Sequence, residues 1–318
     1  MKRMIRFAAL LVAMFLALAT VSAALAEVKP LAMDLTVHGQ PLNPDGWSTN
    51  KETSVYEDES IRAELFKVSR KPKSSVERIY IRIVVVEIAD PSQIRTTLSF
   101  ESFEDSRPAK STDMAKKVNA VTAINDDYIK FNRFQGYAMR QGEFYQDTLE
   151  KLKKPQDVLI IDDQGDFSVI VKASTETVEA RLAELAEDGR KPVNIFTFGP
   201  ALVIDGVGQE CKTEDSIHEL HLPAARAVIG QLDHLKYFIM TVDGANSDHT
   251  GMNGNEMVSF ILEYFPDCKY AYNLDGGNSS KLIWKGKEIN NAKGGARKVS
   301  GLIYFASAVA PEEAEGNP

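Results

Sequence analysis

Ile79-Tyr80-Ile81-Arg82-Ile83-Val84-Val85-Val86-Glu87-Ile88 is the stretch from which the fold class is read. Most of its side chains are β-branched, stiff at χ1 and suited to a pleated surface. Apolar residues at successive positions, not only alternate ones, predict a strand buried on both faces. Asp90-Pro91 closes it, because proline cannot donate to a ladder.

Working outward, the same grammar repeats. Residues 120–124 form a short apolar strand that runs directly into Asn125-Asp126-Asp127-Tyr128. Residues 137–145 read as a hairpin around Gln141-Gly142, and residues 158–161 and 167–171 as a second hairpin flanking Asp162-Asp163-Gln164-Gly165-Asp166. Residues 175–188 read as a helix with Val178, Leu182 and Leu185 on one face and Gly189 at its stop. Further strands are expected at 194–198, 201–204, 227–229 and 237–242. A second helix starts near Asn253, with Glu256 completing a capping-box pattern. Its stripe of Met257, Phe260, Ile261 and Tyr264 is read as core, and Pro266 ends it. Strands follow at 270–274, 281–284 and 302–305. Hairpin-spaced strands outnumber helices and no βαβ alternation appears. The fold class is therefore α+β, a mixed, largely antiparallel sheet core with a few flanking helices.

Residues 79–310 are read as the principal domain. Residues 27–78 form a polar extension, either a small module or a segment packed on the main sheet. The acidic tail, 311–318, is expected to be disordered. Residues 1–26 have the layout of a secretory signal: Lys2, Arg3 and Arg6, an apolar run from Phe7 to about Leu18, then Ala24-Leu25-Ala26. The run is shorter than the roughly 20 residues a spanning helix needs. The expectation is a secreted or periplasmic protein with no stable membrane anchor after cleavage.

The 318-residue chain has a formal charge of −8, and it contains no block of Lys and Arg. That charge argues against nucleic acid as a partner. Cys211 and Cys268 are the two cysteines; in an oxidising compartment they either pair or stay as buried thiols.

Several carboxylates stand at strand ends before turn residues: Val242-Asp243-Gly244, Leu274-Asp275-Gly276-Gly277 and Asn125-Asp126-Asp127. A strand holds its terminal side chain rigidly at the sheet rim, and glycine lets backbone N–H groups approach a ligand. Such a rim suits activation of water beside a bound anion. Asp-Gly alone is a common turn, and Asp205-Gly206 is read as no more than that. Asn273-Leu274-Asp275-Gly276-Gly277-Asn278-Ser279-Ser280 is more specific, since so many small polar residues forgo hydrophobic burial. Other patterns fail: His218-Glu219-Leu220-His221 is too short for a His-Glu-x-x-His zinc site, and no His is obviously paired with Ser279. His249 reads as a solvated loop residue.

The run Asn-Leu-Asp-Gly-Gly-x-Ser-Ser resembles the phosphodiester glycosidase family. The resemblance extends to Phe198-Gly199-Pro200-Ala201-Leu202-Val203, Ala225-Arg226-Ala227-Val228-Ile229-Gly230, Val242-Asp243-Gly244, Gly251-Met252 with the Glu256 helix, and Arg297. It covers residues 79–308, loosely before Gly199. Asn278 stands where a third glycine is usual, Asp126-Asp127 replace small residues, and Ala245 stands where an Arg is common.

What the resemblance implies is a hydrolase that cleaves a sugar C1–O–phosphate bond in a cell-envelope, exopolysaccharide or other glycan substrate. Asp275 and Asp243 are the candidates for activating water or stabilising charge at C1, with Asn273, Ser279 and the Gly276 and Gly277 amides as donors. Arg226 and Arg297 are candidates for the phosphate, or else salt-bridge partners, and Asn125 is a further substrate contact. Asp127, Asp243 and Asp275 are a candidate oxygen site for a divalent cation, Ca or Mg. Two other functions stay open: a metal-dependent phosphodiesterase, and a non-catalytic envelope module that binds phosphosugar polymer.

Overall fold

The computed structural model describes residues 29–34, 37–50, 53–99, 107–127, 136–212, 220–244, 250–291 and 297–309. The expected signal segment 1–26, Tyr128, His218, Glu219, Ala245, His249 and the acidic residues 311–318 lie outside the described residues. Among them are three sheets and three α-helices, and every strand pairing is antiparallel. The α+β class holds.

Strand Ile79–Ile88 is an interior member of the nine-stranded sheet, paired along its length with Ile61–Arg70 on one side and with Lys236–Val242 on the other. Its alternation resolves the continuous apolar run into two faces. Ile79, Ile81, Ile83 and Val85 pack toward helix Gly254–Tyr264, while Val84, Val86 and Ile88 join the core shared with the other two sheets. Strand Ile61–Arg70 was not legible from composition. Ile61, Ala63 and Leu65 are buried, and Arg62 and Glu64 pair with each other on the opposite face at 2.8 Å. Residues 47–70 thus supply three strands to the large sheet.

The second sheet has the order Lys287–Glu288, Leu282–Trp284, Ala120–Asn125, Gly301–Ala306, Ile94–Leu98. The third has Phe167–Ile170, Asp157–Asp162, Pro192–Phe198, Tyr137–Arg140, Glu143–Asp147. Both expected hairpins are present, and Gln141 and Gly142 both take positive φ in the first. Helix Ser111–Lys117, which the sequence reading did not anticipate, covers the second sheet. Helix Thr175–Glu187 covers the third through Val178, Leu182 and Leu185. The Asn253–Glu256 capping box forms at the start of helix Gly254–Tyr264, and Glu256 also accepts from the Ser74 backbone N–H at 2.9 Å. Cys211 and Cys268 are buried free thiols, and burial pushes their pKa values up to about 11 and about 12. No described helix is long and apolar enough to cross a membrane.

Candidate active site

The ends of two strands from different sheets meet at one cleft. Strand Ala120–Asn125 runs out into Asp126 and Asp127, and strand Tyr270–Leu274 into Asp275. The Asn125 amide joins them: its Nδ2 donates to the Asp275 carbonyl at 2.7 Å, and its Oδ1 accepts from the Lys281 N–H at 2.9 Å. The Asp275 N–H in turn donates to the Asp126 carbonyl at 3.3 Å. The turn after Asp275 needs its glycines. A Cβ on Gly276 would stand 2.9 Å from the Ala225 carbonyl oxygen, and Gly277 takes a φ of +57°. The resulting cavity of about 310 Å³ is bounded by Asn125, Asp126, Asp127, Asp275, Ser279 and Arg297, with Pro108 and Lys298–Ser300 completing the wall.

Three carboxyls therefore share one cleft. Asp126 and Asp127 are buried, and the fully buried Arg140 reaches both from the third sheet. Its Nη2 lies 2.5 Å from Asp127 Oδ1 and 3.4 Å from Asp126 Oδ2. Asp127 Oδ2 also accepts from the Thr197 N–H at 3.0 Å. Burial still raises the Asp127 pKa to about 6, with Arg140 and Thr197 opposing it. Asp126 is pushed well above the usual carboxylate range, first by burial and then by the Asp127 charge, with Arg140 offsetting only part. Asp275 rises to about 6 through burial, against the Ser279 hydroxyl, the Arg297 charge and the Gly276 N–H. One guanidinium inside and one at the mouth face three acids. Burial thus shifts both Asp126 and Asp275 toward the protonated form relative to a solvated carboxyl, Asp275 to about 6.

The expected site residues divide between this cleft and other places. Asp275, Ser279, Arg297, Asn125 and Asp127 meet there. Asp243 does not line it: its Oδ1 is 2.5 Å from Arg82 Nη1 and accepts from the Asn291 N–H at 2.9 Å. Arg226 is buried, donating to the Met252 carbonyl at 3.2 Å and the Leu222 carbonyl at 2.7 Å. Asn273 is buried too, its Nδ2 donating to the Gly199 carbonyl at 2.8 Å. The Gly277 N–H is committed to the Ala225 carbonyl at 2.8 Å, and the Gly276 N–H to the Asp275 carboxylate. The candidate cation site is not assembled. No group of three or more His, Cys, Asp or Glu among the described residues is placed to hold a metal, and Asp127 and Asp243 each meet an Arg and a backbone N–H instead.

Arg140, behind the cleft wall, carries no sequence motif, while Asp126 is marked in the sequence as a strand-end carboxylate without an assigned role. The local cue for Arg140 is its strand parity with the buried Ala138, an inward position where a cation requires a buried anion.

Solved structures with this architecture include the catalytic domain of zebrafish N-acetylglucosamine-1-phosphodiester alpha-N-acetylglucosaminidase, auto-inhibited by its pro-peptide. It is similar with a TM-score of 0.59 at 14% identity, over 85% of this chain and 87% of that one. A hypothetical protein from Synechocystis is similar with a TM-score of 0.51 at 13% identity, over 80% of this chain and 64% of that one. At such identities the likeness shows the fold alone. In sequence, the SPbeta prophage-derived uncharacterized protein YomE of Bacillus subtilis (strain 168) is 29% identical over 186 residues, 58% of this chain. The chain spans about a quarter of that relative, 27% of its length. Residues 118–306, more than half of the chain and inclusive of Asp126, Asp127, Asp243 and Asp275, match the phosphodiester glycosidase family, and to that family the chain belongs.

Proposed function

We propose that this protein is an exported hydrolase that cleaves the C1–O bond of a sugar-1-phosphodiester in a cell-envelope or extracellular glycan. The observation that carries the reading is the convergence of Asp275, Asp126 and Arg297 on one cleft, where burial raises the pKa of both acids. Family membership supports the reaction class, and the Lys2-to-Ala26 leader pattern supports export.

Asp275 is the base. Its carboxylate takes a proton from water as the water oxygen bonds to C1, and the C1–O bond to phosphate breaks with its electron pair leaving on the phosphate oxygen. Ser279 orients that carboxylate by donating to it. Arg297 holds the departing phosphate by charge-assisted hydrogen bonds. The phosphate is a good leaving group, so a hydrogen bond suffices where an alkyl glycoside needs full protonation.

The test is hydrolysis of an N-acetylglucosamine-1-phosphodiester by the purified protein, with and without EDTA, beside Asp275→Asn. Turnover lost in the variant and indifferent to EDTA supports the reading. No turnover by the wild type, with retained binding of phosphosugar polymer, replaces it with a binding module.

A further inference from the structure

Asp127 and Asp275 leave different strands, yet both are tied to one segment of a third. Strand Pro192–Phe198 belongs to the sheet that contributes no residue to the cleft wall. Its Thr197 N–H donates to Asp127 Oδ2 at 3.0 Å, and its Ile195 carbonyl accepts from Arg140 Nη1 at 2.5 Å. The Phe196 ring lies under the Arg140 guanidinium, 4.1 Å from Cζ to the ring centroid. Just past the strand, Gly199 exchanges hydrogen bonds with Asn273: the Gly199 N–H donates to the Asn273 carbonyl at 3.2 Å, and Asn273 Nδ2 donates to the Gly199 carbonyl at 2.8 Å. Asn273 stands two residues before Asp275.

Resting on the function proposed above, we infer that Arg140 is a positioning residue of the active site, clamping Asp127 and Asp126 to strand Pro192–Phe198, which holds Asp275 through Asn273. Arg140 reaches no substrate, being fully buried. The clamp uses the planar fork: one Nη faces the two carboxyls while the other bonds the Met139 and Ile195 carbonyls at 3.0 and 2.5 Å. A lysine supplies one charge to Asp127 but lacks the second arm that fixes its angle. The third sheet then acts as the rigid frame against which both acids are set, and its role is geometric.

The experiment compares kcat, KM and thermal midpoint for wild type, Arg140→Lys, Arg140→Met, Asp127→Asn and the Arg140→Lys/Asp127→Asn double variant. An acid displaced by about 1 Å costs roughly 100-fold in rate. The expected result for Arg140→Lys is a kcat loss of that order with KM changed less than about threefold, although most of the thermal midpoint is kept. The double variant loses no more than the worse single one, because both act on one geometry. A lysine variant that recovers kcat together with stability overturns the inference, as do losses that multiply in the double variant. If Arg140→Met does not fold, the lysine and Asp127 variants carry the test. Wild type without turnover instead removes the functional reading, and this inference with it, a result distinct from an active Arg140→Lys.

Discussion

Val242-Asp243-Gly244 and Leu274-Asp275-Gly276 are written alike, an apolar strand followed by Asp and Gly. Both end strands of the nine-stranded sheet at the same edge. Val242 pairs with Arg226 and Leu274 with Ala227, so the two Asp lie two strands apart, roughly 10 Å at normal strand spacing. Their fates differ. Asp243 meets Arg82 from the neighbouring strand and an N–H from Asn291. Among the described residues, Asp275 meets the Ser279 hydroxyl, the Gly276 N–H and the more distant charge of Arg297, and its pKa rises to about 6. A motif places a carboxylate at a rim; the residue opposite decides whether it is structural or reactive.

Exchanging the two acids for amides tests that difference at its widest. Asp275→Asn is expected to lower kcat by roughly 10³-fold, the range for losing a general base, whereas Asp243→Asn keeps kcat within about tenfold. Comparable losses in both would erase the distinction. Stability is expected to reverse the order. Asp243→Asn leaves the Arg82 charge uncompensated, at a cost of about 3 kcal/mol in denaturant unfolding. Arg297→Gln sharpens the comparison on the cleft side: KM for the phosphodiester rises roughly tenfold or more as a charge-assisted phosphate contact is lost, with the thermal midpoint unchanged.

The smallest effect is a gain. The folded pKa of Asp275 lies near 6 against an ordinary 3.8, so the native state holds its proton more tightly and stability falls as pH rises from about 4 to 6. Asp275→Asn removes that penalty, adding about 1–2 kcal/mol at pH 7 to 8 once partial exposure is allowed for, and nothing near pH 4. Calorimetry at both pH values measures it. The same ionisation gives wild-type kcat/KM an acid limb near pH 6, with activity lost below it as the base is protonated.

Much of this was legible in the sequence because it is local. The strand at 79–88, two hairpins with their turn residues, two helices and one capping box each follow from short-range periodicity. Strand Ile61–Arg70 was hidden because half its alternation is charged, and helix Ser111–Lys117 because seven residues give too little period to read. In the site, Asp275, Ser279 and Arg297 were legible from one loop and one strand entry. The clamp was not, since Arg140 meets Asp127 only when two sheets pack. Asp243, Arg226 and Asn273 carry the right chemistry in the right motifs, but tertiary partners claim each of them.

The most direct test is hydrolysis of a sugar-1-phosphodiester in ¹⁸O-labelled water, with the label located by mass spectrometry. Label is expected at the sugar C1 hydroxyl, with turnover by Asp275→Asn lower by roughly 10³-fold. Label in the phosphate would place the broken bond between phosphorus and oxygen and contradict cleavage at C1–O.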